Sequence, residues 1–174
     1  MANKFKSTRI YLQPDPIYRD KLVSQFINYL MKKGKKTIAQ AIFYDAMQIL
    51  RKKFANTEIA KKPEDKAGKD KDEQYELKVF KAAINNVKPL IEVRSRRVGG
   101  ATYQVPMEIE KRRQITLALR WILAASRDKK GKPMAVRLAD ELSDAYNKQG
   151  KSITQRENTH KMAEANKAFA HFAW

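Results

Sequence analysis

Residues 91–109 read IEVRSRRVGGATYQVPMEI, and their alternation decides the fold. Tyr103, Val105, Met107 and Ile109 alternate with polar or small neighbours, the period-2 pattern of a strand with one packed face. Gly99-Gly100 separates this strand from the arm before it, and two glycines accept the positive φ values of a tight hairpin turn. The stretch is therefore a two-stranded antiparallel ribbon. Arg94 and Arg96 share one of its faces, and Arg97 lies on the other. A lone ribbon is marginal in water, so its base must pack on the rest of the chain while its basic tip reaches outward. An arginine-bearing hairpin is often only a solvated loop, so the remaining sequence has to decide what the arginines are for.

On both sides of the ribbon the period changes to that of helices. Upstream, Leu77, Phe80, Ile84 and Val87 define a third helix closed by Pro89. Ile38, Ala39, Ile42, Phe43, Ala46, Ile49 and Leu50 give a second helix ending in Arg51-Lys52-Lys53. Leu22, Val23, Phe26, Ile27 and Leu30 give a first, with Asp15-Pro16 as N-cap and first helical residue, running to about residue 32. The basic turn Lys32-Lys33-Gly34-Lys35-Lys36 follows, where cations suit the negative end of the first helix dipole. Downstream, Ile115, Ala118, Leu119 and Ile122 face inward on a fourth helix. Its arginines lie elsewhere on the surface, and Trp121 is a core or half-buried anchor. After the basic turn Lys129-Lys130-Gly131-Lys132, Pro133 opens a fifth helix whose core candidates are Leu138 and Leu142, ended by Gly150. Thr154-Gln155-Arg156-Glu157 has the spacing of a capping box at the start of a sixth, with Met162, Ala165, Phe169 and Phe172 on one face. The expected architecture is mainly α: a six-helix bundle, 1–174 as a single domain, with a protruding ribbon at 91–109 between helices three and four. Residues 1–13 form a basic arm carrying Lys4 and Arg9. Residues 55–74 are a flexible mixed-charge insertion too poor in apolar side chains to order themselves.

The chain has 37 Lys and Arg against 19 Asp and Glu, a net charge of +18. Such an excess costs self-repulsion and argues for an anionic partner. It is concentrated in two blocks. Residues 1–54 hold 12 basic and 3 acidic side chains and 91–137 hold 12 and 4, whereas 55–90 hold 8 and 7 and 138–174 hold 5 and 5. There is no cysteine, which removes disulfides, thiolate catalysis and cysteine-ligated metal. No apolar run is long enough for a membrane span, and no signal-peptide core opens the chain. No partner membrane, metal or cofactor is expected.

No catalytic constellation emerges either. His160 and His171 fall on one helical face but about 16 Å apart, too far to share a metal ion. Glu108 and Glu110 could mimic the carboxylates of a metal-dependent nuclease, yet lack a third ligand. Asp140, Glu141 and Asp144 read as a solvated acidic face. What remains is binding. The basic side chains Lys4, Arg9, Lys33, Lys35, Lys36, Arg94, Arg96, Arg97, Arg112, Arg113, Arg120, Lys129, Lys130 and Lys132 are spread over an arm, turns and a ribbon. They are not gathered on one recognition helix, which favours folded RNA over a DNA helix-turn-helix reader. A free basic RNA-binding regulator or chaperone is the alternative.

Several stretches resemble one family. They are Asp15-Pro16-Ile17-Tyr18, FINYLMKKGKK at 26–36, VKPLIEVRSRRVGGATYQVP at 87–106, LALRWILAASR at 117–127, MAVRLADEL at 134–142 and HKMAEANKAFAHF at 160–172. In this order they resemble the bacterial-type small-subunit ribosomal protein seven family. The resemblance implies a primary binder of the 3′ major domain of small-subunit ribosomal RNA that starts assembly of the subunit head. It implies a place at the subunit interface beside the exit-site tRNA and the mRNA path, next to other small-subunit proteins including the platform protein eleven. Ribosomal RNA contact is then assigned to the lysines after helix one and to the arginines of the ribbon and helix four. Arg97, Gly99, Gly100, Tyr103, His160, Lys161, Lys167 and His171 are expected near tRNA or mRNA. The implied setting is the cytoplasmic ribosome of a bacterium, with a plastid or mitochondrial ribosome as the alternative. Two departures stand out: the insertion is longer than the usual connection, and Ala173 stands where relatives often carry a basic residue.

Overall fold

A computed structural model describes residues 11–55 and 75–172. Residues 1–10 of the basic arm, with Lys4 and Arg9, residues 56–74 of the insertion and residues 173–174 lie outside the described residues. Within them the order is α1 (Lys21–Leu30), α2 (Lys36–Phe54), α3 (Tyr75–Val87), β1 (Ile91–Val98), β2 (Ala101–Glu108), α4 (Lys111–Asp128), α5 (Met134–Tyr146), α6 (Lys151–Ala165) and a final 3-10 helix (Lys167–Phe172). The mainly α architecture with a ribbon between the third and fourth helices is the one the periodicity predicts.

Each helix contributes an apolar stripe to one core. Val23, Phe26, Ile27 and Leu30 on α1 recur at spacings of three and four and are buried. Phe26 of α1, Phe43 of α2 and Phe80 of α3 meet with ring centroids 5.4–5.6 Å apart, in the tilted and edge-on arrangements aromatic quadrupoles prefer. Helix α5 packs against α2, α3 and α4 at once, and its Leu138, Ala139, Leu142 and Ala145 are wholly buried. Helix α4 adds Ala118, Leu119, Ile122 and Leu123, with Trp121 half-buried against them, and Ile153 of α6 completes the cluster. On α2 the buried stripe is Ala39, Phe43, Ala46, Met47, Leu50 and Phe54. Ile38, expected on that face, is exposed in the first turn.

Several boundaries differ from those expected. The Asp15 carboxylate does cap backbone, accepting from the N–H groups of Ile17 and Tyr18 at 3.1 Å, but it caps a single turn. Arg19 takes a left-handed φ of 51° and breaks that turn. Asp20 then caps again, its Oδ1 accepting from Leu22 N–H at 2.7 Å, and α1 starts at Lys21. Gly150 does not end α5, which closes at Tyr146; it is instead the N-cap of α6. The expected capping box is absent, because Thr154 is already inside the helix with its hydroxyl donating to Gly150 O. Helix α6 also stops at Ala165, so His160 and His171 do not share one helix. Its buried side is Ser152, Ile153, Thr159 and Ala163 rather than Met162 and Ala165.

The helix ends are held by one another. Arg127 of α4 donates to Tyr29 O and Leu30 O at the end of α1. Arg137 of α5 donates to Arg127 O and Lys129 O at the end of α4. Asn86 of α3 donates to Ala145 O and Tyr146 O at the end of α5, and Arg156 of α6 donates to Asn86 O. Glu141 of α5 accepts from both the backbone N–H and the hydroxyl of Ser152 at the start of α6. Carbonyls and N–H groups left over at helix termini need partners, and here remote side chains supply them. Glu141 is wholly buried and also pairs with Lys129 at 2.9 Å, while Asp140 pairs with Lys53 at 2.5 Å. Of the acidic face expected to be solvated, Glu141 is thus an internal clamp, while Asp140 and Asp144 stay part-exposed and pair with lysines.

Candidate nucleic-acid interface

The ribbon pairs in the register Ile91↔Glu108 through Val98↔Ala101, leaving Gly99 and Gly100 (φ 57° and 89°) as a two-residue turn. Directly opposed residues share a face, so Glu92, Arg94 and Arg96 lie on the same side as Met107, Val105 and Tyr103. This is the packed side. Val105 is buried, and Tyr103 stacks on Phe169 and Phe172 of the 3-10 helix at 5.1 and 5.4 Å between centroids. A 3-10 helix turns once in three residues, which aligns Phe169 with Phe172 against that one ring. Tyr103, expected near tRNA or mRNA, is a half-buried anchor part-way along the strand. Arg97 is on the opposite face and exposed.

The base of the ribbon is locked electrostatically. Glu92, nearly buried, accepts from Arg94 Nε at 2.5 Å and from Arg113 Nε at 3.2 Å. A second guanidinium nitrogen of Arg94 also reaches the same carboxylate. His160 Nε2 accepts from Leu90 N–H at 3.1 Å, so that ring pins the entry to β1.

From this base a line of arginines runs along α4. Arg113, Arg120 and Arg127 are seven residues apart, close to two helical turns, and all are exposed. They form one stripe about 21 Å long. Arg120 lies 5.7 Å from the centre of the Tyr29 ring, and Arg127 binds the carbonyls that end α1. The stripe therefore leads to the turn Lys32–Lys36, where every residue is exposed. Sequence reading placed these arginines separately; the seven-residue interval was the available signal that they line up.

Two helix N-termini carry cations where anions would be favoured. Helix α2 begins at Lys36 behind Lys35, and α4 begins with Lys111, Arg112 and Arg113. Neither has a side-chain cap or an acid in its first turn. The positive end of a helix dipole repels such charges, and a phosphate placed there satisfies both the N–H groups and the cations. Lys33, Lys35, Lys36, Arg97, Arg112 and Lys130 are exposed and in no ion pair among the described residues. Other candidates are engaged inside the molecule. Lys129 is paired with Glu141 and Asp144 at 2.9 and 3.0 Å. Burial alone would weaken its charge, but hydrogen bonds to those two carboxylates outweigh it and raise its pKa above the ordinary lysine value. Lys132 lies 3.6 Å from Asp140. Lys161, Lys167 and His171 are exposed on α6 and the segment after it.

Comparison with known proteins decides what this surface belongs to. The family model for ribosomal protein S7p/S5e matches residues 2–167. The chain belongs to that family. It is 54% identical to the small ribosomal subunit protein uS7 of Rhodopirellula baltica over 98% of this chain and 99% of the relative. It is 52% identical to that of Fervidobacterium nodosum over 94% of each chain, and 48% identical to that of Thermotoga neapolitana over 97% of each. As a member of the S7p/S5e family the chain is a structural protein of the small ribosomal subunit and not an enzyme. Its place is the ribosome, a ribonucleoprotein working in translation, with ribosomal RNA and other ribosomal proteins as partners. No helix among the described residues is long and apolar enough to cross a membrane.

Proposed function

We propose that the chain, acting as one domain, is a primary binder of the 3′ major domain of small-subunit ribosomal RNA and nucleates assembly of the subunit head in a bacterial cytoplasmic ribosome. The observation that carries this reading is the continuous basic surface from the ribbon base along Arg113, Arg120 and Arg127 to the Lys32–Lys36 turn. Built from a ribbon, a helix flank and a turn rather than one recognition helix, it suits the phosphates of a folded RNA better than a duplex groove. Ribosomal RNA contact falls to Lys33, Lys35, Lys36, Arg94, Arg96, Arg97, Arg112, Arg113 and Arg120, joined by Lys130 and by Lys4 and Arg9 of the N-terminal arm. At the same end of α4, Lys132 is largely exposed and open to RNA, whereas Lys129 is held by Glu141 and Asp144 and acts on the surface through that network. The outer part of the ribbon, with Arg97, Gly99 and Gly100, lies toward the exit-site tRNA and the mRNA path. Lys161, Lys167 and His171 extend that surface, and Tyr103 and His160 hold it in place. Neighbouring head and platform proteins, including protein eleven, complete the surroundings.

The test is a salt titration of binding to a 3′ major domain transcript beside an unrelated structured RNA of equal length. Preference for the 3′ transcript that persists at physiological salt is the expected result. Equal binding that collapses with salt would identify a general polyanion binder, the regulator or chaperone alternative, instead.

A further inference from the structure

Arginines that bind RNA are usually read one at a time, but two here share a single buried anion. Glu92 is 9% exposed, and its two carboxylate oxygens divide between partners: Oε1 takes Arg94 Nε and Oε2 takes Arg113 Nε. Arg94 comes from the ribbon and Arg113 from the first turn of α4. Their side chains remain about half exposed, at 55% and 43%, whereas that of Glu92 is 11% exposed. The carboxylate thus sits behind the two guanidiniums. It takes the Nε–H of each and one terminal nitrogen of Arg94, and the remaining terminal N–H groups belong to side chains open to solvent. A guanidinium held by its inner edge loses less rotamer freedom when its outer edge is bound. The first turn of α4 adds uncapped backbone N–H groups beside Arg113.

We propose that Arg94, Glu92 and Arg113 form one phosphate clamp, in which Glu92 is a positioning residue that fixes two arginine forks around a single RNA backbone phosphate. The proposal rests on the RNA-binding reading above and adds a specificity role to a residue of the wrong charge for contact. Glu92 also removes one unit of positive charge from the ribbon base, which lowers attraction for every polyanion, and only for a phosphate that fits both forks does their fixed orientation offset the loss. The consequence is selectivity. Without Glu92 the two arginines become mobile point charges, better at holding RNA in general and worse at choosing.

Glu92→Gln and Arg113→Lys test this, each compared with the unaltered chain for binding to the 3′ major domain transcript and to an unrelated RNA across a salt series. Glu92→Gln adds a net charge and should steepen the salt dependence by about one phosphate equivalent. Its preference for the 3′ transcript should drop about tenfold, the scale of one well-oriented charged hydrogen bond. Arg113→Lys keeps the charge but not the fork, so its preference should fall with the salt slope unchanged. A Glu92→Gln protein that binds both RNAs more weakly by the same factor, tracking a lower melting temperature, would show a merely structural pair and overturn the clamp. So would an unchanged preference in both variants. If the unaltered chain itself shows no preference, the ribosomal-RNA reading fails instead, and the clamp is then read from Arg113→Lys, which should still weaken RNA binding at an unchanged salt slope; no weakening would overturn it.

Discussion

Single residues carry more of this fold than their position suggests, and Glu141 is the clearest. Its carboxylate, wholly inside the molecule, holds the start of α6 through Ser152 and neutralises Lys129. Replacing it with alanine leaves the start of α6 without its acceptor and Lys129 with Asp144 alone. Leaving such a buried donor unsatisfied costs about 1–3 kcal/mol, and urea denaturation of Glu141→Ala should show a loss on that scale. Gly150 stands against the same group. Its φ is 93°, and a Cβ there would meet Asp144 Cβ at 3.0 Å and Glu141 Oε1 at 3.1 Å. Gly150→Ala should cost about 1–3 kcal/mol through backbone strain and crowding, read from the same denaturation curves. Arg97 is the opposite case, exposed and unpaired among the described residues. Arg97→Ala should leave stability unchanged and flatten the salt dependence of RNA binding by roughly one phosphate contact.

Among the elements, what was legible in the sequence and what was not divide along a physical line. The six helices and the ribbon were legible because apolar stripes at 3.6 and 2 residues are local and repeat many times. Helix ends were less so. The Asp15-Pro16 pair has the chemistry of a cap and performs it, but Arg19 ends the turn in a left-handed conformation, and the true helix begins behind a second aspartate. The start of α6 was misread because its cap is Glu141, nine residues before Gly150 and on another helix, where it looked like part of an acidic face. Phe169 and Phe172 were recognised as sharing a side, though on a helical period that the chain abandons after Ala165. The 3-10 winding turns them onto Tyr103 instead. That contact makes the segment Lys167–Phe172 a brace for β2. Aromatic pairs are worth about 0.5–1.5 kcal/mol each, so Phe169→Ala should speed amide exchange in Ala101–Glu108 by up to roughly tenfold. Exchange in α1, α2 and α3 should not change.

For the molecule as a whole, the alkaline limit of stability follows from groups on different segments of the chain. Burial, helped by the charges of Glu76 and Asp15, pushes the Tyr18 hydroxyl up from 10.0 to about 12. Burial and a hydrogen bond to Asp15 raise Tyr44 as well, and the Lys129 ammonium is raised by its two carboxylate partners. Each of these groups keeps its proton to higher pH folded than unfolded, so the unfolded chain binds fewer protons in that range. The Tyr18 contribution is full below about pH 10 and is lost as pH rises through about 12, and those of Tyr44 and Lys129 are lost in the same direction. Thermal melts across that window should show a falling melting temperature, and Tyr18→Phe should flatten the fall. The basic surface obeys a different logic, set by leverage. From Glu92 to the glycine turn the ribbon extends roughly 20 Å, so a tilt of about 5° at its root displaces the tip by nearly 2 Å, enough to break a hydrogen bond. The ribbon is a pointer fastened at one end. A carboxylate, an imidazole and two phenyl rings decide its aim, and none of them stands where it points.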